Sequence, residues 1–177
     1  MLTHKASALL QGEIPLTLHP YSAWGAAVTA QMYLPLSPQT VWRQVTDYER
    51  WTTYFPDVTR SEVVQSVNRP SGIKQLYQVA SKAFLMFTAQ VNIALNVIET
   101  APYRVQFYLE SGSFSDFKAD LSLKQCGEGT ILTYFVQATP TIPVPNFLIE
   151  QAIRLDFPMN LRQMRQVMCA TAQLTLT

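Results

Sequence analysis

VTAQMYLPLSPQTVWRQVTDYERWTTYFPDVTRSEVV, residues 28–64, is the stretch that decides the fold. It opens with an alternating run in which Val28, Ala30, Met32 and Leu34 share one face, so a strand is expected over about 26–34. Pro35 ends that strand. Ser37 before Pro38 is a strong helix start, a capping hydroxyl followed by a proline that needs no N–H at the first helical position. Val41, Trp42 and Val45 make the apolar side of this helix, with Trp42 expected to point inward and plug the sheet edge. Asp47 is placed to cap a second short helix, where Trp51, Tyr54 and Phe55 cluster before Pro56 stops it. A second strand run then begins near Val58.

From Asp57 onward the period is two. Strands are expected near 58–67, 73–82, 87–98, 103–110, 114–125 and 130–138. In the third of these, Phe87, Ala89, Val91, Ile93, Leu95 and Val97 alternate with mostly polar partners. In the fifth, Phe117, Ala119, Leu121 and Leu123 face one way, and Lys118, Asp120, Ser122 and Lys124 the other. Such alternation belongs to antiparallel strands with one wet face. The separators are short (Pro70-Ser71-Gly72, Ala101-Pro102, Ser111-Gly112-Ser113, Gly127-Glu128-Gly129), so the sheet is a meander.

The segment TPTIPVPNF, residues 139–147, breaks the strand pattern with three prolines. A long helix is expected from about Asn146 to Thr171, with Ile149, Ile153, Phe157, Leu161, Met164 and Met168 on one face. Pro158 lies inside it and predicts a kink or break near Asp156 to Pro158. The order is β-α-α-β6-α, an α+β chain whose seven-stranded antiparallel sheet can be covered only by that one long helix. A sheet of this size twists and curls around its cover. The expected domain spans 25–172, after an arm of residues 1–24 and before a tail of 173–177. In the arm, the alternation of Ile14, Leu16 and Leu18 allows a short edge strand.

Composition narrows the functions. The chain has 177 residues, 48% hydrophobic and only 14% charged, with net charge +1. No basic patch marks a nucleic-acid partner. The longest apolar run, Ala83 to Phe87, is far below the roughly 20 residues of a membrane span. Residues 1–14 are too weakly apolar for a secretory signal. Cys126 and Cys169 have no CxxC partner and no nearby His, which reads as two free thiols in a reducing cytoplasm.

Several residues carry the resemblance to a known family. They are Val41-Trp42, Val45-Thr46-Asp47-Tyr48, Tyr54-Phe55-Pro56-Asp57-Val58, Gly112-Ser113-Phe114 and Gly129-Thr130-Ile131-Leu132-Thr133-Tyr134. Pro143-Val144-Pro145 and Leu161-Arg162-Gln163-Met164-Arg165 match the closing helix. Over about residues 26–170 the chain resembles the START/Bet v 1-like (SRPBCC) superfamily, in its polyketide cyclase/dehydrase and lipid-transport branch. It also resembles the coenzyme Q-binding proteins of that superfamily, and most closely its cyanobacterial members. The resemblance implies a helix-grip fold with a hydrophobic ligand cavity between sheet and long helix. It does not imply one activity, because one fold hosts many.

No catalytic constellation accompanies it. On the predicted inner faces there is no pair of titratable groups of the kind acid–base chemistry needs. Asp116 and Asp120 take the outer parity, Glu99 and Glu110 sit at strand ends, and His4 and His19 lie in the arm. No nucleophile triad, metal-spaced cluster or cofactor motif is present. The predicted pocket residues are Tyr77, Val79, Val91, Ile93, Phe107, Leu109, Phe117 and Tyr134 from the sheet, with Ile153 and Phe157 from the helix. Small side chains at Ala89, Ala119 and Ala152 point at the same space. Apolar walls with a few hydroxyls suit a lipid-like ligand, and the same residues would serve equally as a filled core. Phe84, Leu85, Met86 and Phe87 form one candidate gate, which as an exposed apolar tip would also allow transient membrane contact. If the flanking strands are longer, that run is core. The Pro-rich stretch Thr139 to Pro145 is the other candidate gate.

Three functions compete: a binder or carrier of an apolar small molecule such as a lipid, isoprenoid, quinone or pigment; a cyclase/dehydrase-type enzyme acting on a polyketide-like or aromatic substrate; and an interaction module with a filled interior.

Overall fold

A computed structural model describes residues 4–65, 70–84 and 87–174. A short helix α1 (His4–Leu10) and strand β1 (Leu16–His19) precede β2 (Ala26–Leu34). Then come α2 (Pro38–Val45), a 3₁₀ turn (Tyr48–Arg50), α3 (Trp51–Tyr54) and β3 (Val58–Val64). The meander that β3 opens continues as β4 (Ile73–Phe84), β5 (Phe87–Thr100), β6 (Arg104–Gly112), β7 (Phe114–Cys126) and β8 (Gly129–Pro140). The chain closes with α4 (Asn146–Gln151), a π-helical turn (Ala152–Asp156) and α5 (Phe157–Leu174).

The sheet has eight strands in the order β1-β2-β8-β7-β6-β5-β4-β3. The expected seven are all present, and the arm contributes the eighth by pairing β1 with β2. The arm is tied to the closing helix as well. Arg165 Nη1 donates to the Gly12 carbonyl at 2.9 Å, and Leu9 and Ile14 are buried. The tail residues 175–177 lie outside the described ones.

Register explains which residues meet. Leu76 pairs with Leu95, Val97 with Phe107, Ala119 with Val136, Leu121 with Tyr134, and Ala30 with Tyr134. Partners across antiparallel strands share a face, so these residues form one concave apolar surface. From α5, Leu161, Met164 and Met168 reach it at helical spacing and are fully buried. This is a helix-grip architecture.

The two short helices seal one end. Ser37 Oγ accepts the Thr40 N–H at 3.2 Å, and Pro38 follows at the first helical position. Ser37→Ala should therefore lower stability by about 1 kcal/mol, read as a shift of the urea midpoint. An unmoved midpoint would show that the cap contributes nothing.

Two local expectations need correction. Trp42 is only half-buried, at the flank of the core, while Val41, Gln44 and Val45 form the buried side of α2. At about 100° per residue, position 42 stands well off the line through 41, 44 and 45. Trp51 takes the central place instead, and its indole N–H donates to the Val45 carbonyl at 2.9 Å. Asp47 stands at the N-terminus of the 3₁₀ turn, but its side chain makes no capping bond.

Candidate functional site

The site begins with a break in the closing helix. Pro158 has no N–H to offer the carbonyl of Arg154, and its ring would crowd that carbonyl. Ala152–Asp156, ending two residues before Pro158, take the wider π spiral, a local form common at functional sites. On the other side, β8 ends at Pro140, which still pairs with Phe114, and Pro143 and Pro145 follow in the irregular link that leads into α4. Between these devices, α4 and the π turn bury no side chain, whereas α5 beyond them is seated tightly.

Beneath the lifted segment lies a cavity of about 540 Å³, within the size range of small-molecule sites. Its floor is built from small side chains on three strands: Ala26 of β2, Ala138 of β8 and Ala89 of β5. Ala26 and Ala138 are register partners. Large residues there would fill the gap; alanines leave it open. Trp24 and Phe114 stand at the sides, and Val144, Leu148, Ile149 and Ile153 form the roof.

Next to this cavity the interior is filled. Trp51 lies 5.4 Å from Phe107, 5.5 Å from Phe55 and 6.2 Å from Tyr134, ring centre to ring centre. Phe157 caps the cluster at 5.7 Å from Tyr134. Burial raises the Tyr134 hydroxyl pKa well above its ordinary value, so it stays neutral. The same cause pushes Tyr54 up to about 12.

Of the predicted pocket residues, Ile153 alone lies on the cavity wall. Ile93, Phe107 and Tyr134 belong to the packed core, with Leu109, Phe117 and Phe157 packed against it. Val91 shares their face and is half-buried. Tyr77 and Val79 fall on the opposite face. Tyr77 pairs with Ala94 and Glu62, and Arg60 lies over its ring at 5.3 Å. Val79 pairs with Asn92 and Arg60. The inward set of β4 is Leu76, Gln78, Ala80 and Lys82, opposite Leu95, Ile93, Val91 and Ala89. Read alone, β4 has apolar residues on both parities; only its pairing with the unambiguous β5 settles the face.

That register brings in a group that sequence reasoning missed. Lys82 lines the cavity, and so does Asp156 of the π turn. The Lys82 ammonium donates to a carboxylate oxygen of Asp156, and to Asp57 Oδ2 at 3.3 Å. Asp57 is held in place because its carbonyl accepts the Ser81 N–H at 2.8 Å. Partial burial lowers the Lys82 pKa, but the bonds and charges of Asp156 and then Asp57 outweigh it and leave it raised. A titratable pair therefore does stand at the inner wall, contrary to expectation. The signal available in sequence was parity: Lys82 is an even number of residues from Leu76.

The gates fare differently. Phe84 and Phe87 pair as the last rung of β4 and β5, so β4 runs two residues longer than expected there, while β5 begins at Phe87 as expected. Leu85 and Met86, and the side chains of Phe84 and Phe87, lie outside the described residues. The Pro-rich stretch, by contrast, forms part of the cavity wall through Pro140, Ile142, Pro143, Val144 and Pro145. At its mouth Ile142 is 71% exposed and Phe147 68%. No helix among the described residues is long and apolar enough to cross a membrane.

The sequence model described as "Polyketide cyclase / dehydrase and lipid transport" matches residues 34–165. No curated protein matches the chain. Solved structures share the fold. A START superfamily protein from Mycobacterium smegmatis is 16% identical with a TM-score of 0.65, covering 82% of this chain and 98% of its own. A STAR-related lipid transfer protein from Xanthomonas axonopodis is 14% identical with a TM-score of 0.60, covering 86% and 98%. The Zhui aromatase/cyclase from Streptomyces sp. R1128 is 9% identical with a TM-score of 0.62, covering 93% and 97%.

Proposed function

We propose, because this chain belongs to the polyketide cyclase/dehydrase and lipid transport family, that it binds or carries an apolar small molecule, of the lipid, isoprenoid, quinone or pigment kind, in the cavity beneath α4. The observation that carries this reading is the cavity itself, floored by alanines and roofed by aliphatic side chains. Burial of an apolar body there contributes roughly 25 cal/mol per Å² removed from water. An open space of this size also weighs against the interaction module with a filled interior. Titration with an apolar fluorescent probe should give binding in the micromolar range or tighter, about −8 kcal/mol. No binding at any soluble probe concentration would overturn the reading.

One observation favours the second reading. The Lys82–Asp156 pair gives the cavity a titratable edge of the sort that could assist a cyclisation or dehydration. The fold is also that of the Streptomyces aromatase/cyclase. Incubation with a polyketide-like or aromatic substrate analogue separates the two. A carrier returns it unchanged, and turnover that Lys82→Met abolishes would establish the enzyme.

Entry is assigned to the Pro-rich mouth. Ile142 and Phe147 are exposed and border the cavity, where they would meet a ligand, a membrane or a donor protein first. Replacing both by Ser should slow probe uptake from vesicles several-fold. Stability should change little, since exposed substitutions usually fall within about ±0.5 kcal/mol. Unchanged uptake kinetics would remove the mouth from the transfer path.

A further inference from the structure

We infer that the cavity selects ligands by their polar end: an apolar body carrying a neutral hydrogen-bond acceptor, such as a ketone or ester carbonyl, seated against Lys82, with carboxylate-headed lipids disfavoured. This rests on the apolar-binder reading and adds the ligand's head-group class to it.

The charge balance at the wall supports it. Among the described residues, Lys82 and Asp156 are the charged side chains that line the cavity, and Asp57 is their third partner. One ammonium and two carboxylates sum to −1. An ammonium carries three protons. Two are committed, one to Asp156 and one to Asp57. Among the described residues nothing takes the third, which can donate to an uncharged oxygen without disturbing either bond. A carboxylate head would bring a fourth charged group beside two others of its own sign. In a partly enclosed apolar site such repulsion is poorly screened. A pure hydrocarbon would satisfy the floor and roof but leave the third proton without a partner beyond water.

The three-point attachment also fixes where the head sits. Lys82 comes from β4, Asp156 from the π turn and Asp57 from the loop before β3, so the ammonium is held from three directions. Its position is set before a ligand arrives, which favours discrimination over mere attraction.

The test is a matched series at neutral pH: a long-chain methyl ketone, the alkane and the fatty acid of the same chain length, each competed against a bound apolar fluorescent probe. The ketone should displace the probe about tenfold better than the alkane, the return on one well-placed hydrogen bond. The acid should be weaker than the ketone by at least that factor. Lys82→Met should erase the ketone's advantage over the alkane. Asp57→Asn, at the more exposed carboxylate, should improve acid binding, and circular dichroism confirms that each variant is folded. If Lys82→Met does not fold, Asp57→Asn alone decides, because its effect on acid binding has no other cause in this proposal. Equal binding of all three ligands, or a preference for the acid, overturns the head-group inference while leaving the apolar-binder reading standing. Failure of every ligand and of the probe overturns both.

Discussion

Ile153→Trp should abolish binding of an apolar probe while leaving the protein folded. Ile153 lies on the cavity roof, in the π turn that buries no side chain of its own. An indole there extends into empty space rather than into packed neighbours, so the overpacking penalty of a tight core, typically about 1–3 kcal/mol, does not apply in full. The ligand loses the space it needs. A weakening of at least about 100-fold is expected, close to 2.7 kcal/mol of the roughly −8 kcal/mol available. The control is Tyr77→Ala. Tyr77 is on the opposite face of the sheet, so that variant should bind as the parent does. Parent-like affinity in Ile153→Trp would place the ligand elsewhere, and loss of binding in Tyr77→Ala would contradict the register.

Trp51→Ala is the variant expected to damage the fold most. Trp51 is 4% exposed and packs against the ring of Phe55, just after α3, and against rings on β6, β8 and the 3₁₀ turn. Deleting it removes a large apolar side chain, leaves a cavity, and strips the Val45 carbonyl of its indole donor. Large aromatic deletions in cores cost about 3–5 kcal/mol, a substantial part of the roughly 5–15 kcal/mol that keeps a domain folded. For a chain of this size that is a fall of about 10–15 °C in Tm. Trp42→Ala should cost less than half as much, because Trp42 flanks the core and keeps part of its surface in water. If thermal melts rank the two tryptophans the other way, the assignment of Trp51 as the centre of the aromatic cluster is wrong.

The contrast between these tryptophans shows where reading the chain succeeds. The helix start at Ser37-Pro38, the stops at Pro35 and Pro56, the six meander strands and the break before Pro158 all follow from chemistry within a few residues. Each was legible because capping, proline geometry and period-two alternation act locally. The inward face of β5 and β7 was legible too, since apolar residues there recur at every second position against mostly polar ones, from Phe87 to Val97 and from Phe117 to Leu123. The inward face of β4 was not. Tyr77 and Val79 look as apolar as Leu76 and Ala80, and no local rule separates them. The sheet decides by pairing β4 with β5, and a shift of one residue exchanges every side chain between core and solvent.

The same distinction governs the site. From its residues alone, the chain determined an α+β sheet closed by one long helix, with small side chains at Ala89 and Ala152 available to leave space. Tertiary structure decided where that space is. It filled the centre with Trp51, Phe107, Tyr134 and Phe157, and opened the end beneath α4. It also joined Lys82, Asp57 and Asp156, three charges far apart in the chain. Contacts of that kind depend on strand register and on how far a kinked helix stands from a curved sheet. Both are properties of the whole packed chain, to which each segment contributes only its own local preference.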